Sequence, residues 1–452
     1  MVETKSFSFS FRGLKRALNF PPALLVLLGF LGLIFIGTFL LFLPFSVAPG
    51  NTIRFIDALF TATSAVCVTG LIVVDTGTFF SVWGQIVILV LIQFGGLGYM
   101  TVATLLALAL RRRIEYRDRL AIRDSFSLDV PGGMVRFVLD VLRYVLWVEG
   151  VGFVLLSLAF LRYFPAGKAF FAALFHSVSA FCNAGFSVFS NSLEGFVLDP
   201  LVNFAVMGLI VIGGIGFVVI REIVEERRLS SLHARIVVAT TLSLIALGTL
   251  AFFTLEFHNP QTLGKLPGWG KLMASLFLSI TPRTAGFNTV PTQYLHPASA
   301  LLVMLFMFIG ASPGGTGGGV KTTTFALILA LVRSALQGQE GVSLFHRRAA
   351  RNAVRRSLAV FFLALGLVFG STFLLYVTQS GTPLDLAFEA VSAFGTVGLS
   401  RGVTANLSDI GKLVIIVTMF LGRVGIFTAL VAMGVARERK ELLVYPEERV
   451  LL

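Results

Sequence analysis

A short run of small residues that ends in glycine recurs four times along this chain. The four glycines lie 115, 101 and 112 residues apart, so one unit has been used four times. Backbone carbonyl oxygens of such runs can replace the hydration shell of a cation, and glycine permits backbone conformations that other residues avoid. We therefore predict that main-chain oxygens of these filter segments bind a permeating cation. The segments are Val68, Thr69 and Gly70; Asn183, Ala184 and Gly185; Thr284, Ala285 and Gly286; and Thr396, Val397 and Gly398.

Each filter segment carries one glycine, whereas the potassium-channel segment Thr-Val-Gly-Tyr-Gly carries two. Fewer ordered rings of carbonyl oxygens predict fewer strong cation sites and weaker discrimination between cations. The competing interpretation is that these small residues only serve close packing between membrane helices. That interpretation does not explain why the pattern recurs four times beside half-length apolar segments.

The composition is typical of a polytopic membrane protein. Of the 452 residues, 56% are hydrophobic and 13% are charged, and the mean hydropathy is +0.89. Long apolar segments alternate with short ones that can only enter a membrane halfway and return. We expect an all-α membrane protein in which four pseudo-symmetric helix–pore loop–helix repeats surround one central pore. No segment is long enough for a separate soluble or enzymatic domain. The repeats span 22–123, 124–228, 229–340 and 341–436, between the terminal segments 1–21 and 437–452.

The second long helix of each repeat contains glycines at a matched distance from the filter. They begin 25, 28, 24 and 24 residues after the filter glycines, at Gly95, Gly213, Gly310 and Gly422. Small residues at such positions favour close helix packing. We expect continuous second helices near 82–110, 199–222 and 410–436, with an interruption in repeat three only.

The charged residues predict the topology. The net charge is +13, and 26 of the 36 Lys and Arg residues fall in five segments that the count of spans places on one side. The positive-inside rule makes that side cytoplasmic, which predicts eight crossings of the cell membrane with both termini in the cytoplasm. The basicity therefore follows from topology and does not indicate a nucleic-acid partner. The segments are 1–21, 111–143, 221–235, 333–356 and 437–449.

A glycine-rich run interrupts the second helix of repeat three. Residues 310–321 contain six glycines and one proline, which a helix cannot accommodate. We expect this run, the gate loop, to lie at mid-membrane depth beneath the filter, where few contacts hold it closed. It does not match a phosphate-binding Walker loop, because Val320 precedes Lys321. The predicted gate comprises Gly310, Ala311, Ser312, Pro313, Gly314, Gly315, Thr316, Gly317, Gly318, Gly319, Lys321 and Arg423.

Arg423 is an ionisable residue well inside the fourth repeat's second helix. A charge at that depth usually faces a cavity and a partner, so we expect it to donate to carbonyls of the gate loop; snorkelling is the alternative. For Arg283 two roles stay open, bracing the third filter segment or lining the outer mouth. Cys67 and Cys182 stand three residues before filter glycines, where apolar packing is the simplest role.

Together, these features resemble one family. The four loop–helix repeats, the single filter glycines, the string Thr-Pro-Arg-Thr-Ala-Gly-Phe at 281–287, the glycine-rich interruption and Arg423 resemble the Trk/Ktr/HKT superfamily of potassium transporters. Eight spans with no additional N-terminal helix pair are similar to the membrane subunit of the Ktr branch. The resemblance covers essentially the whole chain.

The resemblance implies potassium uptake, often with sodium dependence, by a lipid-embedded homodimer on a cytoplasmic octameric ring similar to KtrA. The ring binds the regulatory nucleotide, ATP, ADP or NAD. The chain itself then holds no covalent cofactor, and its metal ion is K⁺ bound by filter carbonyls only. Two alternatives stay open: an alternating-access sodium/potassium symporter and a sodium-preferring cation pore. Sparse membrane carboxylates, Glu149 being the clearest, count against the symporter, and the four intact glycines count against the sodium pore.

Overall fold

The structure is a computed structural model that describes residues 22–98, 134–339, 341–432 and 434. Helices dominate the described residues. In chain order they are α1 (Pro22–Phe42), α2 (Phe55–Val66), α3 (Thr76–Phe79), α4 (Val82–Leu97), α5 (Met134–Phe160), α6 (Ala166–Phe181), α7 (Pro200–Ile215), α8 (Phe217–Arg221), α9 (Leu232–Glu256), α10 (Gly268–Ile280), α11 (Pro297–Phe308), α12 (Thr322–Leu336), α13 (Arg351–Thr378), α14 (Pro383–Gly395), α15 (Asp409–Val424) and α16 (Ile426–Ala432). A π-helical turn, Glu222–Glu226, follows α8, and strands β1 (Ser343–Leu344) and β2 (Arg347–Arg348) form an antiparallel pair.

Four long outer helices, α1, α5, α9 and α13, are apolar enough to cross a membrane. Their mean hydropathies lie between 1.7 and 2.8, and helices of this length cover about 30 Å of hydrocarbon at roughly 1.5 Å per residue. Large apolar side chains on them face outward, among them Phe39, Leu247 and Phe369, which are 65%, 65% and 75% exposed. A surface of this kind fits lipid rather than water. The predicted all-α membrane fold class is therefore confirmed.

The half-length pore helices α2, α6, α10 and α14 form the centre of the protein. They contain 12, 16, 13 and 13 residues, so they end before they could cross the hydrocarbon. Each packs against the outer helix of its own repeat and carries a phenylalanine that is at most 1% exposed: Phe60, Phe175, Phe277 or Phe388. The core thus lies around the short helices, as the predicted helix–pore loop–helix repeats require.

The second helices of repeats two and four are broken, and the expectation of continuous helices over 199–222 and 410–436 was wrong. α7 ends before Gly216, whose φ is 99°, and the next helix departs at 99°. α15 ends before Gly425, whose φ is 86°, and α16 departs at 89°. A residue with positive φ cannot continue a right-handed helix, and glycine adopts it at little cost. α4 likewise ends at Gly98, whose φ is 78°, so matched breaks occur outside repeat three.

The structure tests part of the predicted number of membrane spans. By length and composition, the described residues contain four membrane-crossing helices, or six if each bent pair is one span. The described helices α4, α11 and α12 are shorter, and the expected extension of the first repeat's second helix to residue 110 lies outside the described residues. The segments 1–21 and 437–452 also lie outside them. The cytoplasmic position of both termini stays a prediction.

Glycines in the second helices let these helices touch the ends of the pore helices. A Cβ atom at three of them would overlap the carbonyl oxygen of a residue four positions before a filter glycine. Close contact at this point sets the depth at which filter segments one, two and four begin, so the packing function predicted for these three glycines agrees with the geometry. Gly310 differs, because it lies against the Gly318 carbonyl of the gate loop. The pairs are Gly95 with Val66, Gly213 with Phe181, and Gly422 with Phe394.

Gly213→Ala is expected to destabilise the protein, because a methyl group has no space against the Phe181 carbonyl. Overpacking of this kind costs about 1–3 kcal/mol. Gly208→Ala on the same helix is the matched control, since nothing lies within 4 Å of a Cβ atom there. Thermal unfolding in detergent should show a lower midpoint for Gly213→Ala only. Equal midpoints would show that the seating of α7 on α6 does not depend on this contact.

Candidate ion-conduction site

The four filter glycines form a closed ring. A Cβ atom at each glycine would run into the carbonyl oxygen of the residue that precedes the next repeat's glycine. In chain order, Gly70 faces Ala184, Gly185 faces Ala285, Gly286 faces Val397, and Gly398 faces Thr69. The four filter segments therefore surround one axis, with neighbours in chain order adjacent in space. The contacts leave no room for a side chain at any of the four positions.

The filter backbone is left-handed at two positions in every repeat. The glycines have φ values of 87°, 69°, 75° and 95°, and the residues two positions earlier, Val68, Asn183, Thr284 and Thr396, have values of 55°, 60°, 73° and 50°. Positive φ at a residue other than glycine costs about 1–3 kcal/mol and persists only where the surroundings impose it. Three of these four residues are β-branched, for which this conformation is a true outlier. The pore helices and the neighbouring segments must therefore impose the shape.

Filter amide groups bond back to the pore helices. Thr69, Ala184 and Val397 donate their N–H groups to the carbonyls of Ser64 (2.7 Å), Ser179 (2.8 Å) and Ser392 (2.9 Å), and Ala285 donates to Thr281 (3.0 Å). Among the described residues, no donor contacts the carbonyl oxygens of the filter segments. Buried backbone carbonyls normally have a partner, because an unpaired one is costly. A ring of unpaired carbonyl oxygens around an axis is suited to a dehydrated cation.

Side chains do not supply a metal site in the described part of the chain. No group of three or more His, Cys, Asp or Glu residues is close enough there to hold an ion. Cys67 and Cys182 are free thiols, fully buried behind the filter. The Cys182 thiol lies 3.6 Å from the Gln93 side-chain oxygen, and Gln93 also donates to Glu149 (3.2 Å). Within these residues, the filter carbonyls are thus the ligands that the geometry offers.

The gate loop, residues 310–321, lies directly beneath the filter. Its two ends pair as a bridge between Ile309 and Val320. The Gly318 N–H donates to the Thr396 hydroxyl at 3.0 Å, and a Cβ atom at Gly317 would overlap the Thr284 hydroxyl. The loop therefore touches the inner residues of filter segments three and four. The loop thus lies where the sequence predicts it, and its role as a gate stays a prediction.

The gate loop is fastened to repeat two by more contacts than the sequence predicts. Gly214 and Gly213 carbonyls accept from the N–H groups of Ser312 (3.0 Å) and Thr316 (3.2 Å). In return, the Gly314 carbonyl accepts from Phe217 at 3.1 Å. These partners are available because α7 breaks at Gly216 and leaves its last carbonyls without helical donors. The expectation of few contacts was wrong for this physical reason.

Arg423 joins the gate loop to repeat one. One terminal nitrogen of its guanidinium donates to the Thr316 carbonyl, and the other donates to the carbonyls of Gly95 and, at 3.4 Å, Gly96. Lys321 adds a second cation, which donates to the Gly317 carbonyl at 2.7 Å. The contact of Arg423 with the loop agrees with the predicted geometry, while the acceptors at the end of α4 were missed. The paired glycines were the available signal, and they were interpreted as packing only.

Arg283, directly before the third filter segment, does not line the outer mouth. Its guanidinium donates to the Thr241 hydroxyl of α9 at 3.2 Å, and the side chain is buried. It therefore ties the approach to the third filter segment to the outer helix, which is compatible with the bracing role that the sequence left open. His176 is fully buried in α6 and bonds to Ser187.

The fold and this site define a multi-pass membrane protein built to conduct cations, and the comparisons with known proteins agree. The TrkH family, described as cation transport proteins, matches residues 29–443, and the chain belongs to this family. It is 40% identical to Ktr system potassium uptake protein B of Bacillus subtilis (strain 168), over 96% of this chain and 97% of that protein. The protein of the same name from Vibrio alginolyticus is 40% identical over 94% of each chain.

Two further similarities extend the comparison. The potassium/sodium uptake protein NtpJ of Enterococcus hirae is 37% identical over 95% of this chain and 97% of its own. The crystal structure of the potassium transporter TrkH from Vibrio parahaemolyticus aligns with a TM-score of 0.72 at 20% identity, covering 95% of this chain and 86% of that one. At this identity the structural match supports the fold alone. The relatives are named as transporters, and none of these names describes an enzyme.

Proposed function

We propose that this protein takes up potassium across the cell membrane through the four filter segments. The single observation that carries the proposal is the ring of carbonyl oxygens that have no donor within the described part of the chain, enclosed by glycine contacts that leave no space for side chains. Potassium is favoured as the ion because two relatives at 40% identity are named potassium uptake proteins. The carbonyls of residues 68–70, 183–185, 284–286 and 396–398 are the proposed ligands, and the chain needs no covalent cofactor.

Sodium is the second candidate ion, because one relative is named a potassium/sodium uptake protein. Sodium would then be either the coupled ion of an alternating-access sodium/potassium symporter or the preferred ion of a cation pore. Ion coupling in membranes commonly uses a buried carboxylate. Glu149 is buried, but it bonds to Gln93 behind the filter rather than to a filter segment. The geometry therefore favours a potassium pore.

The proposed gate is the loop 310–321 held by Arg423. The guanidinium has donors for two directions at once, and it uses them on the loop and on the end of α4. α12 begins at Thr322, directly after the loop, and ends within the basic segment 333–356. Movement of α12 would therefore pull Lys321 and the loop away from the filter. This arrangement offers a route by which a cytoplasmic subunit opens the pore.

The proposed partners are a second copy of the chain and a cytoplasmic octameric ring similar to KtrA, which binds ATP, ADP or NAD. Support comes from the names of the relatives, since protein B of a system implies a further component. The basic segments 221–235 and 333–356 suit docking, because Arg227, Arg228 and Arg347 in them are exposed. The positive-inside rule predicts that both termini lie on this same, cytoplasmic side.

Gly286→Ser should weaken potassium affinity and lower the potassium-to-sodium ratio, each by about tenfold or more, since loss of one good ligand contact is worth about 1.4 kcal/mol. Gly208→Ala, at a glycine with open space, is the control for a general effect of substitution. The measurement is uptake by potassium-uptake-deficient cells at graded potassium, with and without sodium, normalised to inserted protein. If Gly286→Ser and the equivalent changes at Gly70, Gly185 and Gly398 all left affinity and ratio intact, the filter proposal would be wrong.

Arg423→Ala should raise potassium flux and reduce its dependence on nucleotide, because the loop loses its attachment to repeat one. Deletion of 311–319 should raise flux further. Arg162→Ala is the control, since Arg162 is exposed and lies neither in the gate nor in the proposed docking segments. Fluorescence flux assays in proteoliposomes with the ring subunit would measure both properties. Unchanged or lower flux in both gate variants, with normal folding, would place the gate elsewhere.

Neutralising Arg227, Arg228 and Arg347 together should prevent co-purification with the ring, because docking of an oppositely charged surface depends on these exposed charges. The control removes charge from the opposite end of the protein, at the exposed residues Arg162 and Lys168, and should leave the complex intact. Affinity capture from detergent extracts at low and moderate salt would compare the two. Intact capture by the triple variant would exclude this docking surface.

A further inference from the structure

Two pore helices carry an ionisable side chain at the same distance from the filter. His176 in α6 and Glu389 in α14 each stand nine residues before a filter glycine, Gly185 and Gly398. Both side chains are 0% exposed. In the described part of the chain, neither side chain bonds to a filter carbonyl or to the gate loop. A buried ionisable group in a membrane protein is costly, so its retention calls for a specific partner.

The partner of His176 is a serine just beyond the second filter segment. Its Nδ1 lies 2.7 Å from the Ala172 carbonyl, so in the neutral ring this nitrogen carries the proton and donates. Nε2 is then the acceptor for the Ser187 hydroxyl at 2.8 Å. The Ser187 oxygen in turn accepts from the Phe189 N–H at 3.0 Å. The imidazole is thus locked between its own helix and the backbone that leaves the filter.

Glu389 makes the corresponding contact in repeat four. One carboxylate oxygen accepts from the Ser400 hydroxyl and from the Arg401 N–H at 3.2 Å, and the other accepts from the Thr404 hydroxyl at 2.6 Å. Ser400 also accepts from the Gly402 N–H at 2.9 Å. The carboxylate therefore holds the same outgoing stretch of backbone as His176 does in repeat two. An imidazole in repeat two and a carboxylate in repeat four thus make the same connection from the pore helix to the serine that follows the filter.

The two serines occupy equivalent places. Each serine stands two residues after its filter glycine. The residue between the glycine and the serine is buried in both repeats: Phe186 is 1% exposed and Leu399 is 2% exposed. The closed ring of glycine contacts puts segments two and four across the axis from each other. The two connections therefore hold opposite sides of the filter at its outer end.

Repeats one and three have no ionisable side chain at this pore-helix position. The equivalent pore-helix residues are Thr61, whose hydroxyl donates to the Asp57 carbonyl in its own helix, and Phe277, which has no polar group. The outgoing residue of repeat three, Asn288, is instead held by the Glu194 carboxylate of repeat two at 2.6 Å. In repeat three the Thr281 hydroxyl, at the end of the pore helix, donates to the Phe287 carbonyl at 2.5 Å. Among the described residues, a brace from the position nine residues before the glycine is thus found in repeats two and four.

We propose that His176 and Glu389 are positioning residues that brace filter segments two and four and thereby set the preference for potassium over sodium. The proposal rests on the proposed potassium function of the same filter. A smaller ion is coordinated well only if the carbonyls close in around it, and discrimination depends on how strongly the filter resists this change. Braces at the outer ends of opposite segments oppose such a contraction, and their burial makes each hydrogen bond stronger than in water.

The test removes each brace while preserving the packing. His176→Phe and Glu389→Met should each lower the potassium-to-sodium uptake ratio about tenfold, the effect of roughly one hydrogen bond. Ser187→Ala and Ser400→Ala remove the partners of these side chains and should lower the potassium-to-sodium uptake ratio by a similar factor. Because the partners act through each other, the double variant His176→Phe/Ser187→Ala should be no worse than either single one. Glu389→Gln keeps an acceptor for Ser400 and should recover most of the ratio.

Position-matched controls are available in the other two repeats. Thr61→Val and Phe277→Leu change the same point of the remaining pore helices and should leave the ratio unchanged. Uptake is measured in potassium-uptake-deficient cells, and inserted protein is quantified for every variant, so that the serine variants decide the outcome if a pore-helix variant fails to insert. Gly286→Ser is measured in parallel.

The outcomes separate the two proposals. If Gly286→Ser lowers the ratio but the serine and pore-helix variants do not, the braces are only structural and this inference is wrong. If the controls lower the ratio as much as the brace variants, the effect is general to pore-helix packing and the inference is also wrong. If Gly286→Ser itself leaves the ratio intact, the potassium filter fails, and the inference fails with it.

Discussion

The contact between neighbouring filter segments is the constraint on which the rest of the structure depends. Each filter glycine lies against a carbonyl of the next segment, so the ring closes only if all four segments reach the same depth. The pore helices deliver them there, and glycines such as Gly95, Gly213 and Gly422 allow the second helices to press against the ends of the pore helices. Bulky apolar side chains fill the space behind the pore helices, and those on the outer helices point outward. The close approach at the axis thus organises every layer outside it.

The breaks in the second helices provide the carbonyl groups to which the gate loop and Arg423 are attached. Helix ends leave carbonyl groups without donors, and such groups are costly inside a membrane. The gate loop meets this need at the end of α7, and Arg423 meets it at the end of α4. The loop and the breaks therefore depend on each other: without the loop, the carbonyls of Gly213 and Gly214 would need another partner. This explains how a run so rich in glycine can hold one conformation.

Because the four repeats belong to one chain, equivalent positions in them can carry different side chains. The filter needs only backbone symmetry, since its ligands are carbonyl oxygens. Side chains behind it are free to differ, and the position nine residues before each glycine holds Thr61, His176, Phe277 and Glu389. Repeat three alone, among the described residues, carries the long insertion beneath the filter. In the proposed function the symmetric part of the protein binds the ion, while the asymmetric parts are suited to regulating its passage.

The sequence by itself determined the membrane class, the four repeats, the filter glycines and the glycine-rich interruption, because these depend on local composition and spacing. It also indicated that Arg423 meets the gate loop. Only the tertiary structure decided that the second helices break, that Arg283 points to α9, and that the loop is fastened by many contacts. Arg423 and its acceptor Gly95 stand 328 positions apart in the chain. No local pattern can specify a bond of this kind, because it exists only where four separate repeats meet at one axis.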